Sequence, residues 1–217
     1  MTDNLPFVRR QIVIGNRTWS VETVDDEDAL LNAAENRSLF PFGLMLWESA
    51  IALAQHLDEK PALVTGKSVL ELGAGLGLTG VIASYLGATV TQTDHDEAAL
   101  TACARTAALN GITNITRQTG DWHDPARYDV ILGADIGYDG SDHAALLTVF
   151  ARALTPGGTI LLADPGREKQ PAFVARARSA GWRVDKTLRH VNELKPVIVD
   201  NTLAISILEL RHAKARP

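Results

Sequence analysis

The stretch VLELGAGLGLTG, residues 69–80, runs a short apolar segment into four glycines, Gly73, Gly75, Gly77 and Gly80. A strand ending in glycines implies a turn that a Cβ would block, the usual way an α/β protein brings its backbone up to a nucleotide-like ligand. Two ligands compete for it. Gly75, Gly77 and Gly80 spell the dinucleotide fingerprint G-x-G-x-x-G, and Asp94 stands 19 residues after Gly75, where a ribose-binding carboxylate belongs. Against a dinucleotide stands Glu71, whose carboxylate at the strand tip repels a pyrophosphate but suits the cationic amino group of a methionine moiety. A hydride-transfer enzyme also needs a substrate site, usually from a second domain or a dedicated loop. Here one alternating pattern takes up almost the whole chain.

That pattern places strands at 68–72, 88–94, 114–120, 128–135 and 158–164, with helices at 78–86, 96–109 and 142–154 between them. A helix near 168–180, a strand beginning at Trp182 and a final apolar run at 202–210 follow. Strands alternating with helices predict βαβ units, hence a Rossmann-like, doubly wound and mostly parallel sheet. Upstream, residues 11–24 read as a hairpin turning at Gly15-Asn16 and lying outside that sheet. Asp25-Asp26-Glu27-Asp28 opens a helix whose dipole favours the negative charge, and apolar spacing predicts another helix over 46–57. No linker or repeat marks a boundary. The expectation is one domain over 1–217, with a hairpin and helical cap over 1–60 and the Rossmann-like core over 61–217.

Composition narrows the function. With 217 residues, 46% of them hydrophobic, the chain suffices for a well-buried core, while a net charge of −5 and no basic run beyond Arg9-Arg10 argue against nucleic acid. One cysteine, Cys103, allows no internal disulfide, and no Cys/His cluster has metal-ligand spacing. The N-terminal MTDNLPFVRRQ has no apolar core of signal-peptide length, and no stretch approaches the length of a membrane span. A cytoplasmic location without membrane, metal or nucleic-acid partners is expected.

The motif ELGAGLG, at 71–77, resembles the first motif of the class I, seven-stranded S-adenosylmethionine-dependent methyltransferases. Asp94, ending the second strand, matches their ribose carboxylate, and Gly120-Asp121-Trp122 stands where that class holds adenine. The turn Thr155-Pro156-Gly157-Gly158 is typical of it as well. A narrower resemblance lies in the flanks. PFGLMLWESA, at 41–50, is similar to the entry segment of the lysine methyltransferase-like branch, and Asp135-Ile136-Gly137-Tyr138 matches that branch's D/E-x-x-Y/F. The short Asp164-Pro165-Gly166-Arg167 is also reminiscent of some members.

The resemblance implies an antiparallel last strand, S-adenosylmethionine as donor with S-adenosylhomocysteine as product, and a protein substrate bearing the target lysine. It also assigns roles. Gly73, Gly75 and Gly77 let the backbone approach the donor, and Asp94 accepts from its ribose hydroxyls. Asp121 and Trp122 hold adenine, Trp47 closes over the methionine end, and small Ala134 leaves room beside the sulfonium. Asp135 aims the acceptor amine and Tyr138 walls its channel. Each has a plainer reading: a helix cap for Asp94 or Asp135, a core ring for Trp122 or Trp47, a core methyl for Ala134, and ion pairing for Glu71 and Glu48. A nucleobase acceptor is disfavoured because the prolines of D/N-P-P-Y/F/W are missing. A small-molecule amine or nicotinamide-like acceptor stays open as an alternative, and a dehydrogenase or a non-catalytic scaffold stands behind it.

Overall fold

The computed structural model describes residues 5–34, 40–120, 126–192, 194 and 202–213. The chain opens with strands β1 (Phe7–Ile14) and β2 (Arg17–Val24), then α1 (Glu27–Ala33) and α2 (Glu48–Glu59). Next come β3 (Ser68–Leu72), α3 (Leu78–Tyr85), β4 (Thr89–Asp94), α4 (Glu97–Leu109), β5 (Ile115–Thr119) and β6 (Tyr128–Ala134). It closes with α5 (His143–Ala153), β7 (Leu154–Asp164), α6 (Gln170–Ser179), β8 (Trp182–Asn192) and β9 (Thr202–His212).

Seven strands form one sheet in the order β5-β4-β3-β6-β7-β9-β8. Pairings among β5, β4, β3, β6 and β7 are parallel, while β9 runs antiparallel to both of its neighbours. The expected antiparallel last strand is therefore present, inserted between β7 and β8. Alternation along each strand feeds two apolar layers. Val69, Val130 and Leu132 face α2, α3 and the hairpin, whereas Leu70, Leu72 and Ile131 face α5 and α6. Because β3 and β6 are adjacent yet their chains leave in opposite directions, the sheet opens a crevice at their carboxyl ends, where doubly wound folds hold ligands.

The hairpin forms its own two-stranded sheet with the expected turn at Gly15-Asn16. Though outside the main sheet, it packs into the core. Trp19, Val21 and Val24 are buried in the same apolar layer as Val69, and Asn110 at the end of α4 bonds both the N–H and the C=O of Ser20. The Arg17 guanidinium stacks on Trp19 and Tyr85 at 4.4 and 4.6 Å. Buried Thr23 receives the Leu46 N–H and donates to the Leu44 carbonyl, which fixes the segment leading into α2.

Boundaries differ from expectation most at β1, which begins at Phe7 where the hairpin is expected from residue 11, at α2 and at β7. Helix α2 starts at Glu48, with Met45 and Trp47 extended before it, since the short 3-10 turn Phe42–Leu44 directs the chain over the crevice before a helix can begin. Strand β7 starts at Leu154 rather than at Gly158: Tyr128 pairs with Leu154 and Val130 with Thr159, so the expected turn is a bulge inside the strand, helped by left-handed Gly157. Among the described residues no helix is long and apolar enough to cross a membrane, and no group of His, Cys, Asp and Glu is placed to hold a metal.

Candidate functional site

The glycines after β3 turn as their sequence requires. Gly73, Gly75 and Gly77 all lie in the left-handed region, at φ 59°, 54° and 74°. Their closeness to other groups excludes a Cβ as firmly as their dihedrals: one on Gly73 would stand 2.7 Å from Ile136 Cγ2, and one on Gly77 2.8 Å from Cys103 Sγ. Gly80 stands apart from them. Already inside α3, it is a glycine because Glu71 packs against it, a Cβ there falling 2.3 Å from Glu71 Oε2. The third glycine of the apparent dinucleotide fingerprint thus makes room for a carboxylate of the protein itself.

Glu71 lines the cavity, and its carboxyl also meets the protein's own donors. It is buried, Oε1 accepting from the Gly80 N–H at 3.0 Å and Oε2 from Gln92 Nε2 at 2.8 Å. Its side chain follows that of Val69 to the α3 face of β3, so the charge braces the turn from beneath. Burial pushes the Glu71 carboxyl up to about 7, against the hydrogen bonds from Gln92 and Gly80. A carboxyl that holds its proton more tightly folded than unfolded contributes stability that is full below pH 4.5 and lost as pH rises to about 7. His56 acts oppositely: buried, with neither ring nitrogen partnered among the described residues, it is lowered to about 4 chiefly by burial, so its contribution is lost as pH falls from 6.5. Between pH 5 and 7.5 wild type should therefore lose about 2 kcal/mol relative to Glu71→Gln, measured by urea unfolding of both at each pH. Parallel profiles would remove the buried carboxyl from the ledger.

Asp94, at the end of β4, is buried with one edge on the cavity. Oδ2 accepts from the Gly75 N–H at 2.9 Å and Oδ1 from the Asp96 N–H at 3.1 Å. The cap of α4 is Asp96, whose side chain accepts from the Ala98 N–H, so Asp94 is spared that duty. Asp135 does not cap a helix either, since α5 begins at His143 after Asp142. At the opposite end of the cavity, β6 terminates in a turn built on Asp135 itself, the one residue other than glycine with positive φ among those described, at 55°. Aspartate tolerates this region better than most side chains, at a cost of about 1 kcal/mol. The turn drives Ile136 inward against Gly73 and Gly133 and leaves Asp135 and Tyr138 on the cavity.

The partner of Asp135 was the least legible part of the site. Both carboxylate oxygens are taken by Arg167, Nε to Oδ1 at 3.0 Å and Nη2 to Oδ2 at 2.5 Å. Arg167 is aimed by the loop after β7, where Asp164 Oδ1 accepts from the Gly166 and Arg167 N–H groups at 2.7 and 2.8 Å. Its guanidinium also lies 5.9 Å from the Trp47 ring centroid. The only signal in the sequence was the short Asp164–Arg167 loop, which does not reveal a contact 32 residues apart.

Together these residues enclose a cavity of about 470 Å³, walled by the glycine turn, Asp94, Ala134, Asp135, Tyr138 and Arg167. Segment 42–47 covers it, with Gly43 close to Gly75 and Trp47 donating its ring N–H to the Phe42 carbonyl at 3.0 Å. Phe42 and Tyr138, each about half exposed, form an aromatic rim with ring centroids 6.4 Å apart, and Trp47 stands 6.3 Å from Phe42. The Tyr138 hydroxyl is shifted upward by burial and by the carboxylates of Asp142, Asp139 and Asp135, so it stays a phenol. Gly120 reaches the cavity, while Asp121 and Trp122 lie outside the described residues. Glu48 accepts from the Leu194 N–H at 2.9 Å.

A family model described as lysine methyltransferase matches residues 25–179. Protein-lysine N-methyltransferase EFM3 of Chaetomium thermophilum is 32% identical over 175 residues, covering 69% of this chain and 52% of the relative. Histone-arginine methyltransferase METTL23 of Xenopus laevis is 32% identical over 189 residues, covering 79% and 76%. The chain thus spans about half the length of the first relative and about three quarters of the second. A crystal structure of SMU.776, a putative methyltransferase complexed with SAH, superposes with a TM-score of 0.62 at 15% identity, over 92% of this chain and 56% of that one.

Proposed function

From a chain that belongs to the lysine methyltransferase family, we propose an enzyme that moves the methyl group of S-adenosylmethionine to the side-chain nitrogen of a lysine in a protein substrate. The observation that carries this reading is one cavity joining the left-handed glycine turn and Asp94 at one end to Asp135, Tyr138 and an aromatic rim at the other. The residues fit the donor. A Cβ-free turn admits an adenosyl group against the backbone, and Asp94 keeps lone pairs for adjacent ribose hydroxyls beside the two N–H groups it already receives. When bound, S-adenosylmethionine supplies a methyl group activated on a sulfonium.

The protein's own part is positioning and exclusion of water. Segment 42–47 lids the cavity, Ala134 leaves space at the tip of β6, and Phe42, Trp47 and Tyr138 provide apolar walls along which a lysine side chain can extend. An apolar channel lowers the pKa of an amine and so favours the neutral nucleophile. A half-exposed rim suits an acceptor presented on a protein surface, and the lone buried thiol of Cys103 is in keeping with a reducing, cytoplasmic setting.

Saturation with S-adenosylhomocysteine at about 100 times its Kd should raise the melting temperature by roughly 5 to 10 °C, by mass action, while NAD leaves it unchanged. Stabilisation by NAD alone would restore the dehydrogenase reading. The acceptor follows from incubating the enzyme and methyl-labelled donor with lysate of a strain lacking the gene, then hydrolysing the labelled fraction. Label in methyl-lysine of a protein band supports the proposal, whereas label in methyl-arginine or in the low-molecular-weight pool replaces the acceptor.

A further inference from the structure

Asp135 is expected to aim an acceptor amine, yet its carboxylate already holds a guanidinium. The pair is bidentate, Asp135 is only 6% exposed and Arg167 40% exposed, and Arg167 is fixed from behind by the Asp164 turn and from the side by the Trp47 ring. A two-pronged contact of this kind is the geometry in which arginine binds carboxylates most specifically. It is no loose surface bridge. The other carboxylates on the cavity are Asp94, held by two backbone N–H groups at the far end, buried Glu71, and Asp142 beside Tyr138.

Without Arg167, an isolated carboxylate in a sheltered pocket would attract any cation, including an ammonium, and would hold a lysine in its unreactive charged form. We propose that Arg167 is the residue that sets charge at the acceptor end: by neutralising Asp135 it lets the cavity admit a neutral amine in place of an ammonium. The inference rests on the methyl-transfer reading and adds to it the residue that governs the charge an acceptor meets. Asp135 then positions the amine through the outer lone pairs of a carboxylate whose charge is already met.

Two donor analogues test this without any acceptor. S-adenosylhomocysteine is uncharged at its thioether, whereas sinefungin carries a cationic amine where the transferred methyl would be. Their affinities for the full chain are measured by calorimetry at one pH and one salt concentration, for wild type, Arg167→Met and Asp135→Asn. Arg167→Met leaves a bare anion and should shift the ratio of affinities about tenfold toward sinefungin. Asp135→Asn leaves a bare cation and should shift it about tenfold the other way. A merely structural pair would move both variants together. Ratios within twofold of wild type, or shifts of the same sign, overturn the proposal, as does a loss of S-adenosylhomocysteine affinity in Arg167→Met with the ratio unchanged, which would put Arg167 on the donor. If Arg167→Met fails to fold, the sign of the Asp135→Asn shift decides alone. Failure of both analogues to bind wild type instead overturns the methyl-transfer reading, and this inference falls with it.

Discussion

Asp94→Ala is expected to weaken S-adenosylhomocysteine binding by about 100-fold or more. Under the proposed reading it removes two charge-assisted hydrogen bonds to the ribose, each worth roughly 1.5 to 3 kcal/mol. The structure adds a second effect. Asp94 also receives the N–H groups of Gly75 and Asp96, so alanine leaves the glycine turn without its anchor and lowers stability by about 1 to 3 kcal/mol. Asp94→Asn separates the two contributions. Its amide oxygen still accepts from the backbone but presents a donor where the ribose offers one, so stability should recover more than affinity. Calorimetry for binding and urea unfolding for stability read them independently, and affinity within threefold of wild type in Asp94→Ala would end the ribose assignment.

The second large effect belongs to Asp135. Asp135→Asn should lower methyl transfer to the identified acceptor by about 100-fold while S-adenosylhomocysteine affinity stays within a few-fold, the pattern of a lost positioning contact. Asparagine is the variant of choice because φ at this residue is 55°, a region that asparagine tolerates and alanine does not. Asp135→Ala should therefore be the less stable of the two, although both remove the same charge beside Arg167. Tyr138→Ala should raise the apparent acceptor constant more than Tyr138→Phe does, since the ring forms the rim. Undiminished turnover in Asp135→Asn would move the chemistry to Trp47 or Arg167.

Period and punctuation made most of the fold legible. The 2-residue alternation of the strands, the 3.6-residue spacing of the helices and the glycines after β3 are local properties of the backbone, readable wherever neighbouring side chains share one environment. Asp94 and the pair Asp135 and Tyr138 were legible for a related reason, since residues at the carboxyl ends of parallel strands meet on one edge of the sheet whatever else the chain does. Trp47 was legible as a residue but not as a position. Its apolar neighbours suggested a helix, whereas the anchoring of Leu44 and Leu46 by Thr23 holds this stretch extended over the cavity.

By itself, then, the sequence determined a doubly wound sheet, a glycine turn that only Cβ-free residues can make, and the strand tips at which function gathers. Tertiary structure alone decided what each charge faces. Glu71 stands at a strand tip in the sequence, and only the fold shows that Gly80 and Gln92 each donate to one of its oxygens on the α3 side of β3. Asp135 looks like a free carboxylate until the loop after β7 brings Arg167 to it across 32 residues. An electrostatic partner is chosen by distance in space and by the water that packing removes, and neither is a property of spacing along the chain.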